Sequence, residues 1–160
     1  MSGAEPGSTR VRVRACTPAD AGAVGALSRE FVAYLRDLGD PAPGGVTAKA
    51  YLRDGFGERP AFTSLLAEAD GRAVGYLLCH EGYDVDRGGR VLHVADLFVA
   101  GSARRAGVGR ALMDAAAEVC RRAGGHALVW AVYPPNAAAR AFYESLGGRY
   151  SEDLLMSRRV

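Results

Sequence analysis

The sequence predicts a single α/β (α+β) domain over residues 10–160, preceded by a flexible tail at residues 1–9. Its 160 residues match the size of one domain with a substantial core. Hydrophobic periodicity gives the element order β-α-α-β-β-β-α-β-α-β, a central meander followed by helical crossovers. A meander pairs its strands antiparallel, whereas a crossover helix returns the chain to a parallel position. We therefore expect a mixed, mostly antiparallel sheet with helices on both faces.

The first three elements precede the meander. Charged and apolar side chains alternate over residues 10–16, as in a strand with one buried face. A helix is predicted to follow as far as about Leu38, with Thr17 as N-cap and Pro18 in the first turn. A shorter helix is predicted over residues 47–56.

Three strands form the predicted meander. The strand at 62–68 is joined to the strand at 73–84 by Asp70-Gly71, a tight-turn pair. A second turn, at 86–89, leads to the strand at 91–99. Such short connections favour antiparallel pairing.

The last four elements surround a final crossover. An amphipathic helix is predicted to end at Gly124-Gly125, where glycine favours a C-terminal stop. The strand at 127–132, the helix at 134–146 and a last strand at 150–160 complete the chain.

Composition excludes several functional classes. The net charge of +2 is too small to favour nucleic acid as a partner. The three cysteines, Cys16, Cys79 and Cys120, are widely spaced, so we expect buried thiols and no metal site. No apolar run reaches the ~18 residues that span a membrane. Without a visible signal peptide, the expected location is the reducing cytoplasm, with no membrane partner.

The most informative segment is the basic, glycine-rich turn Arg104–Gly109 (RRAGVG), between a predicted strand and a predicted helix. Backbone N–H groups in such a turn, together with the helix N-terminus, bind phosphate, and glycine permits a close approach. The dinucleotide fingerprint does not fit, because Leu112 stands where its third glycine belongs. The nucleotide P-loop does not fit either, because no Lys and Ser/Thr follow Gly109.

A third pattern matches. Arg104-x-x-Gly107-x-Gly109, after a strand that ends Asp96-Leu97-Phe98-Val99, resembles the signature of the GNAT superfamily of N-acetyltransferases. Downstream, Asn136 and the segment 142–147 (FYESLG) resemble that family's N…FYxxLG pattern. The region 82–99 is most similar to diamine and thialysine N-acetyltransferases.

The resemblance implies a sheet of six or seven strands with about four helices, splayed between the fourth and fifth strands at a bulge. It implies acetyl-CoA as cofactor, with the pyrophosphate on the turn and the pantetheine arm along the end of strand 91–99. A backbone N–H near Leu97 would polarise the thioester carbonyl. The residues implied to bind the cofactor are Leu97, Phe98, Val99, Arg104, Arg105, Ala106, Gly107, Val108, Gly109, Arg110, Asn136 and Ala139.

The resemblance makes Tyr143 the proton donor to the departing thiolate. Tyr143 lies seven residues after Asn136, which places the two side chains on one stripe of a helix. A phenol pKa of about 10 suits this transfer after modest tuning.

The residues leave three candidates for the base that deprotonates the amine. Diamine acetyltransferases carry a Glu before the strand's Asp, and the matching position here is Ala95. Strand alternation turns Asp96 to the opposite face. His93 shares the face of Ala95, and His80 is expected roughly opposite Ala95, subject to a register slip of one residue. Either histidine, or water, is left as the proton acceptor.

These inferences predict an acetyl-CoA-dependent N-acetyltransferase that acts by direct attack of a small-molecule primary amine, such as a polyamine or amino acid. Acetylation of a protein N-terminus or lysine is one alternative. A non-catalytic CoA-binding regulatory module is another, which Ala95 keeps open. The resemblance also favours a homodimer.

Overall fold

The computed structural model describes residues 10–152 and 156–158. These residues form a five-stranded sheet in the order β1-β2-β3-β4-β5, antiparallel except for the parallel β4–β5 pair. The strands are β1 (Val11–Ala15), β2 (Thr63–Ala69), β3 (Arg72–Asp84), β4 (Gly89–Val99) and β5 (Gly125–Trp130). The α-helices are α1 (Ala21–Asp37), α2 (Ala48–Phe56), α3 (Val108–Arg122) and α4 (Ala137–Ser145). The predicted mixed, mostly antiparallel sheet is confirmed.

The entry into α1 differs from the prediction in its first turn. Pro18–Asp20 forms a 3₁₀ turn, and the α-helix begins at Ala21. The Asp20 carboxylate accepts a 2.7 Å hydrogen bond from the Thr17 amide and pairs with Arg14 of β1 at 2.8 Å. These contacts stabilise a capped turn ahead of the helix.

The sheet separates two hydrophobic clusters. On the face covered by α3, Leu77 and Leu92 of the sheet pack against Leu112. On the face covered by α1 and α2, Tyr76 and Phe98 join Val24, Tyr51 and other buried residues. Below, these are called the α3 face and the α1 face.

The splay predicted between the fourth and fifth strands is present. Parallel pairing of β4 with β5 stops at Val94↔Trp130, although β4 runs on to Val99. On the other side of β4, Leu78 pairs with Asp96 and Cys79 pairs with Val94, which leaves Ala95 as the extra residue of a β-bulge. A bulge increases local twist, so β4 turns away from β5 just beyond its last paired residue.

The prediction of six or seven strands is wrong for the described residues, which form five. Residues 150–152 and 156–158 lie in no strand, while 153–155 and 159–160, like the predicted tail at 1–9, fall outside the described residues. The segment after Gly148 lacks the alternation that a half-buried strand requires, since three polar residues follow Tyr150. Among the described residues, no helix is long and apolar enough to cross a membrane.

Candidate active site

A cleft of about 1330 Å³ opens where β4 and β5 separate. Ligand sites for a single small molecule commonly occupy about 300–1,000 Å³, so this cleft has room for two substrates together. Its lining includes twelve residues predicted to act at the site: Leu97, Phe98, Val99, Arg104, Arg105, Gly107, Val108, Gly109, Arg110, Asn136, Ala139 and Tyr143. The exceptions are Ala106, which lines a separate shallow depression, and the two predicted histidines.

One end of the cleft is the turn before α3. Gly107 adopts a left-handed conformation with φ +77° and caps the helix, and Arg105 is also left-handed with φ +66°. The Ala111 amide makes the bond to the Gly107 carbonyl, so the amides of residues 108–110 precede the helical hydrogen-bonding ladder. They give this end of the cleft a partial positive charge suited to phosphate.

The two glycines of the turn have different structural roles. A Cβ on Gly107 would meet no heavy atom within 4 Å, so this position requires glycine for its φ. A Cβ on Gly109 would lie 3.0 Å from the Phe142 ring of α4. Gly109 therefore permits close packing of α3 on α4, and its role in keeping a Cβ away from the pyrophosphate stays a prediction.

The Arg104 side chain binds to neighbouring parts of the protein. Its Nε donates a 3.1 Å hydrogen bond to the Val99 carbonyl, and its guanidinium lies 4.5 Å from the centre of the Tyr34 ring. Arg104 thus fixes the junction of β4 with the turn and occupies one acceptor at the splayed end of β4.

Asn136 is buried, with 6% of its surface exposed, at the start of α4. Its Oδ1 accepts hydrogen bonds from the Ala139 amide at 3.1 Å and from the Tyr34 hydroxyl at 3.0 Å. Asn136 therefore caps α4 and also joins it to α1. The second role was missed from the sequence, because nothing in the spacing of residues 34 and 136 signals their contact.

Tyr143 lies on α4 with its ring packed against Trp130 and Phe142, at centroid distances of 5.1 Å in each case. It lines the cleft from the α3 face. Burial raises the pKa of Tyr143 to about 12, and the charge of Asp96 adds to this shift. The phenol thus stays protonated well above neutral pH.

Asp96 is a candidate catalytic residue that the alternation pattern of the strand assigned to the wrong face. The bulge at Ala95 restarts the alternation, so Asp96 projects on the α1 face, where the Tyr76 hydroxyl donates a 2.5 Å hydrogen bond to it. The expectation that Asp96 points away from the site is wrong for this reason. Burial raises the pKa of Asp96 to about 6, while hydrogen bonds from Tyr76 and the Leu97 amide oppose the rise.

The two histidines form a pair outside the cleft. His80 lies opposite His93 rather than opposite Ala95, and their rings stack with centroids 5.0 Å apart. The hairpin pairs Asp84 with Gly89, and this register, two residues away from the expected one, places His80 opposite His93. Neither imidazole lines the cleft, so their proposed role as base loses its geometric support.

Among the described residues, the cysteines, the histidines and the acidic side chains other than Asp96 lie outside the cleft. No group of three or more His, Cys, Asp or Glu side chains in the described residues is arranged to hold a metal. Cys79 and Cys120 are buried thiols, and burial raises the pKa of Cys79 to about 11. None of the three cysteines lines the cleft.

Comparison with known proteins identifies the family of this chain. Residues 29–148 match the model of the acetyltransferase (GNAT) family. The chain is 31% identical over 147 residues to thialysine N-epsilon-acetyltransferase of Bos taurus, an alignment covering 87% of this chain and 84% of the relative. This chain belongs to the GNAT acetyltransferase family. Members of this family are acyltransferases that use acetyl-CoA.

Solved structures share the same fold. BH1408 protein from Bacillus halodurans, in a four-substitution variant, aligns with a TM-score of 0.77 at 22% identity, covering 93% of this chain and 99% of that one. Aminoglycoside N-acetyltransferase AAC(6')-Iy, in complex with CoA, aligns with a TM-score of 0.76 at 20% identity, covering 98% and 99%. At these identities the likeness establishes the fold and leaves the substrate open.

Proposed function

We propose that this GNAT acetyltransferase transfers the acetyl group of acetyl-CoA to a primary amine of a small molecule by direct attack. The observation that carries this proposal is the placement of Asp96 and Tyr143 at one cleft on opposite faces of the splayed sheet. An amine approaching from the α1 face meets a carboxylate, and a leaving group on the α3 face meets a phenol.

The donor chemistry of the cleft fits acetyl-CoA. The amides of residues 108–110 at the start of α3, with Arg105 and Arg110 beside them, suit a pyrophosphate. The β4 backbone beyond Ala95 has lost its β5 partner, so it offers an edge to an amide-containing arm such as pantetheine. When bound, acetyl-CoA supplies an activated acetyl group as its thioester. Binding of acetyl-CoA by four further cleft residues is also part of this proposal: Leu97, Val99, Asn136 and Ala139.

Asp96 is the proton acceptor in this scheme. Its carboxylate pairs with the ammonium of the acceptor and takes one proton, and the freed lone pair on nitrogen attacks the carbonyl carbon. The raised pKa of about 6 makes Asp96 a stronger base than an ordinary carboxylate. Tyr76 holds the carboxylate in place through its hydroxyl.

Tyr143 acts on the other side, where the carbon–sulfur bond breaks. Its pKa of about 12 exceeds the ~8.5 of an ordinary thiol, so complete proton transfer to sulfur is unfavourable in the resting environment. A hydrogen bond from the phenol still stabilises negative charge as it develops on sulfur. The nitrogen is positively charged after the attack and loses its second proton to solvent as the carbon–sulfur bond breaks. Solvent supplies the proton that the released thiol keeps, and Asp96 releases its own proton to solvent, so one net proton is produced with the amide.

The test is an assay of thiol release from acetyl-CoA by the full chain with primary amines, amino acids and peptides, each product being checked by mass spectrometry. We expect N-acetylated small amines and stoichiometric thiol. Binding of acetyl-CoA without thiol release for any acceptor would instead identify a regulatory module. Faster acetylation of peptide N-termini or lysines than of every small amine would identify a protein acetyltransferase.

A further inference from the structure

The acceptor half of the cleft, on the α1 side, carries one carboxylate, and its lining is otherwise largely apolar. Resting on the function proposed above, we infer that the acceptor is a monoamine with an apolar, preferably aromatic, body, and that amines with a second cation are disfavoured. This class differs from the thialysine and aminoglycosides named for the relatives.

Charge in the cleft is distributed unevenly. Asp96 is the single acidic residue among the described residues that line it. Three arginines also line it: Arg105 and Arg110 in and after the turn before α3, and Arg104, whose guanidinium lies 4.5 Å from the centre of the Tyr34 ring. One carboxylate matches one ammonium. A second ammonium held in the cleft would find no partner, and an unpaired buried charge is costly.

The surface around Asp96 is built from hydrocarbon. Phe31 and Leu35 of α1, Val46 of the following loop and Leu78 of β3 line the cleft on the α1 side. Phe31 stacks on Phe98, with ring centroids 5.2 Å apart. These walls favour an apolar or aromatic substituent on the amine through burial and ring stacking.

The acidic side chains that a polyamine would seek lie elsewhere. Glu81 is 3.6 Å from Arg90, and Asp84 is 3.1 Å from Arg87, all on the β3–β4 hairpin. None of these four residues lines the cleft. The carboxylates of Glu81 and Asp84 are thus paired with arginines and, lying outside the cleft, supply no second cation subsite there.

The inference is tested with matched acceptors that differ in a single group. 1-Aminobutane and 1,4-diaminobutane have the same length and differ in the second ammonium, and 2-phenylethylamine adds an aromatic ring. We expect kcat/KM for 1-aminobutane to exceed that for the diamine by at least tenfold, and 2-phenylethylamine to be better still. Spermidine, lysine and kanamycin should be poor acceptors.

A substitution should reverse the preference. Val46→Glu adds a second carboxylate to the acceptor half while keeping the backbone bond from the Val46 amide to Ser28. We expect the ratio of kcat/KM for diamine to monoamine to rise at least tenfold. Val85→Glu, on the hairpin at a position 82% exposed, is the matched control and should leave the ratio unchanged.

Binding of the same amines to the CoA-loaded protein, measured by calorimetry, separates this inference from the proposed function. If no amine is acetylated but 2-phenylethylamine binds more tightly than 1,4-diaminobutane, the proposed function fails and the selectivity of the cleft stands. Equal or tighter binding of the diamine, or its faster acetylation, would overturn the inference whether or not turnover occurs.

Discussion

The phenol of Tyr143 can be tested by removing a single oxygen. Tyr143→Phe keeps the ring that packs on Trp130 and Phe142. Because the hydroxyl would stabilise charge only as the sulfur departs, kcat should fall by about 10²-fold while acetyl-CoA affinity stays within a few-fold. Steady-state kinetics and calorimetry measure the two effects. Tyr83→Phe, at an exposed hairpin position, makes the same chemical change outside the site and should retain parental values.

An unchanged turnover number in folded Tyr143→Phe would remove the phenol from the mechanism. The pH profile adds a second check. With a pKa of about 12, ionisation of Tyr143 should not reduce the rate below about pH 11. This replaces the simpler expectation from the sequence that the rate falls once the pH approaches an ordinary phenol's pKa of about 10.

Asp96 should govern the acidic side of the profile. Its pKa of about 6 means that kcat/KM falls as pH drops through 6, because the protonated carboxyl cannot accept a proton. Asp96→Asn should lose most activity at pH 8, by about 10²-fold or more, and should lack this acidic limb. His80→Ala and His93→Ala are the comparison variants and should keep it. An acidic limb that persists in Asp96→Asn but vanishes in a histidine variant would restore the histidine as base.

The carboxylate of Asp96 should also lower the free energy of unfolding. Its folded pKa is raised above the ordinary value, so the folded state holds its proton more tightly and the free energy of unfolding declines as pH rises from about 4 to 6. Well above pH 6 the whole penalty is present, on the order of 3 kcal/mol. Asp96→Asn should therefore unfold at a higher temperature than the parent at pH 8, with the difference shrinking near pH 4. Equal thermal midpoints at both pH values would contradict this.

At the scale of single elements, the turn before α3 should depend on the left-handed φ of Gly107. Gly107→Val places a β-branched side chain at φ +77°, so the turn must rearrange and move the amides of residues 108–110. Acetyl-CoA binding, followed by calorimetry, should weaken at least tenfold, about 1.4 kcal/mol.

Gly71→Val is the matched control for that change. Gly71 has φ +74° and open space around its Cβ position, but it lies in the β2–β3 turn. The control should lose comparable stability and keep its affinity for acetyl-CoA. If both variants bind acetyl-CoA as the parent does, the turn is not the phosphate site.

Elements with strong local signals were predictable, and those decided by tertiary contacts were not. The turn Arg104–Gly109 is recognisable from its two glycines and from the strand and helix patterns on either side, so the position of α3 follows from the sequence. The expected bulge could not be placed at Ala95 from the sequence, because the segment 93–99 can be divided between two faces in either register. One extra residue was enough to move Asp96 into the cleft, and the register of the hairpin, which pairs Asp84 with Gly89, places His80 opposite His93.

At the scale of the whole molecule, a side-chain hydrogen bond joins the two faces of the sheet across the splay. Tyr34 of α1, on the α1 face, donates to Asn136, which begins α4 on the α3 face. Arg104 lies against the Tyr34 ring and bonds the Val99 carbonyl. Helices that are distant in sequence are thereby held at a fixed separation around the cleft, a relation that no local pattern could reveal.

Tyr34→Phe tests how much this contact contributes to the free protein. Asn136 would keep its bond from the Ala139 amide, so α4 should remain capped while the link to α1 is lost. A neutral hydrogen bond contributes about 1 kcal/mol, which for a domain of this size corresponds to a thermal midpoint lower by roughly 2–4 °C. Hydrogen exchange should increase at the start of α4 and in the second half of α1, while the β2–β3 hairpin stays protected. Tyr83→Phe should change neither measurement. A midpoint equal to that of the parent, with unchanged exchange in both helices, would mean that the splay is held open by the packing of α3 and α4 alone.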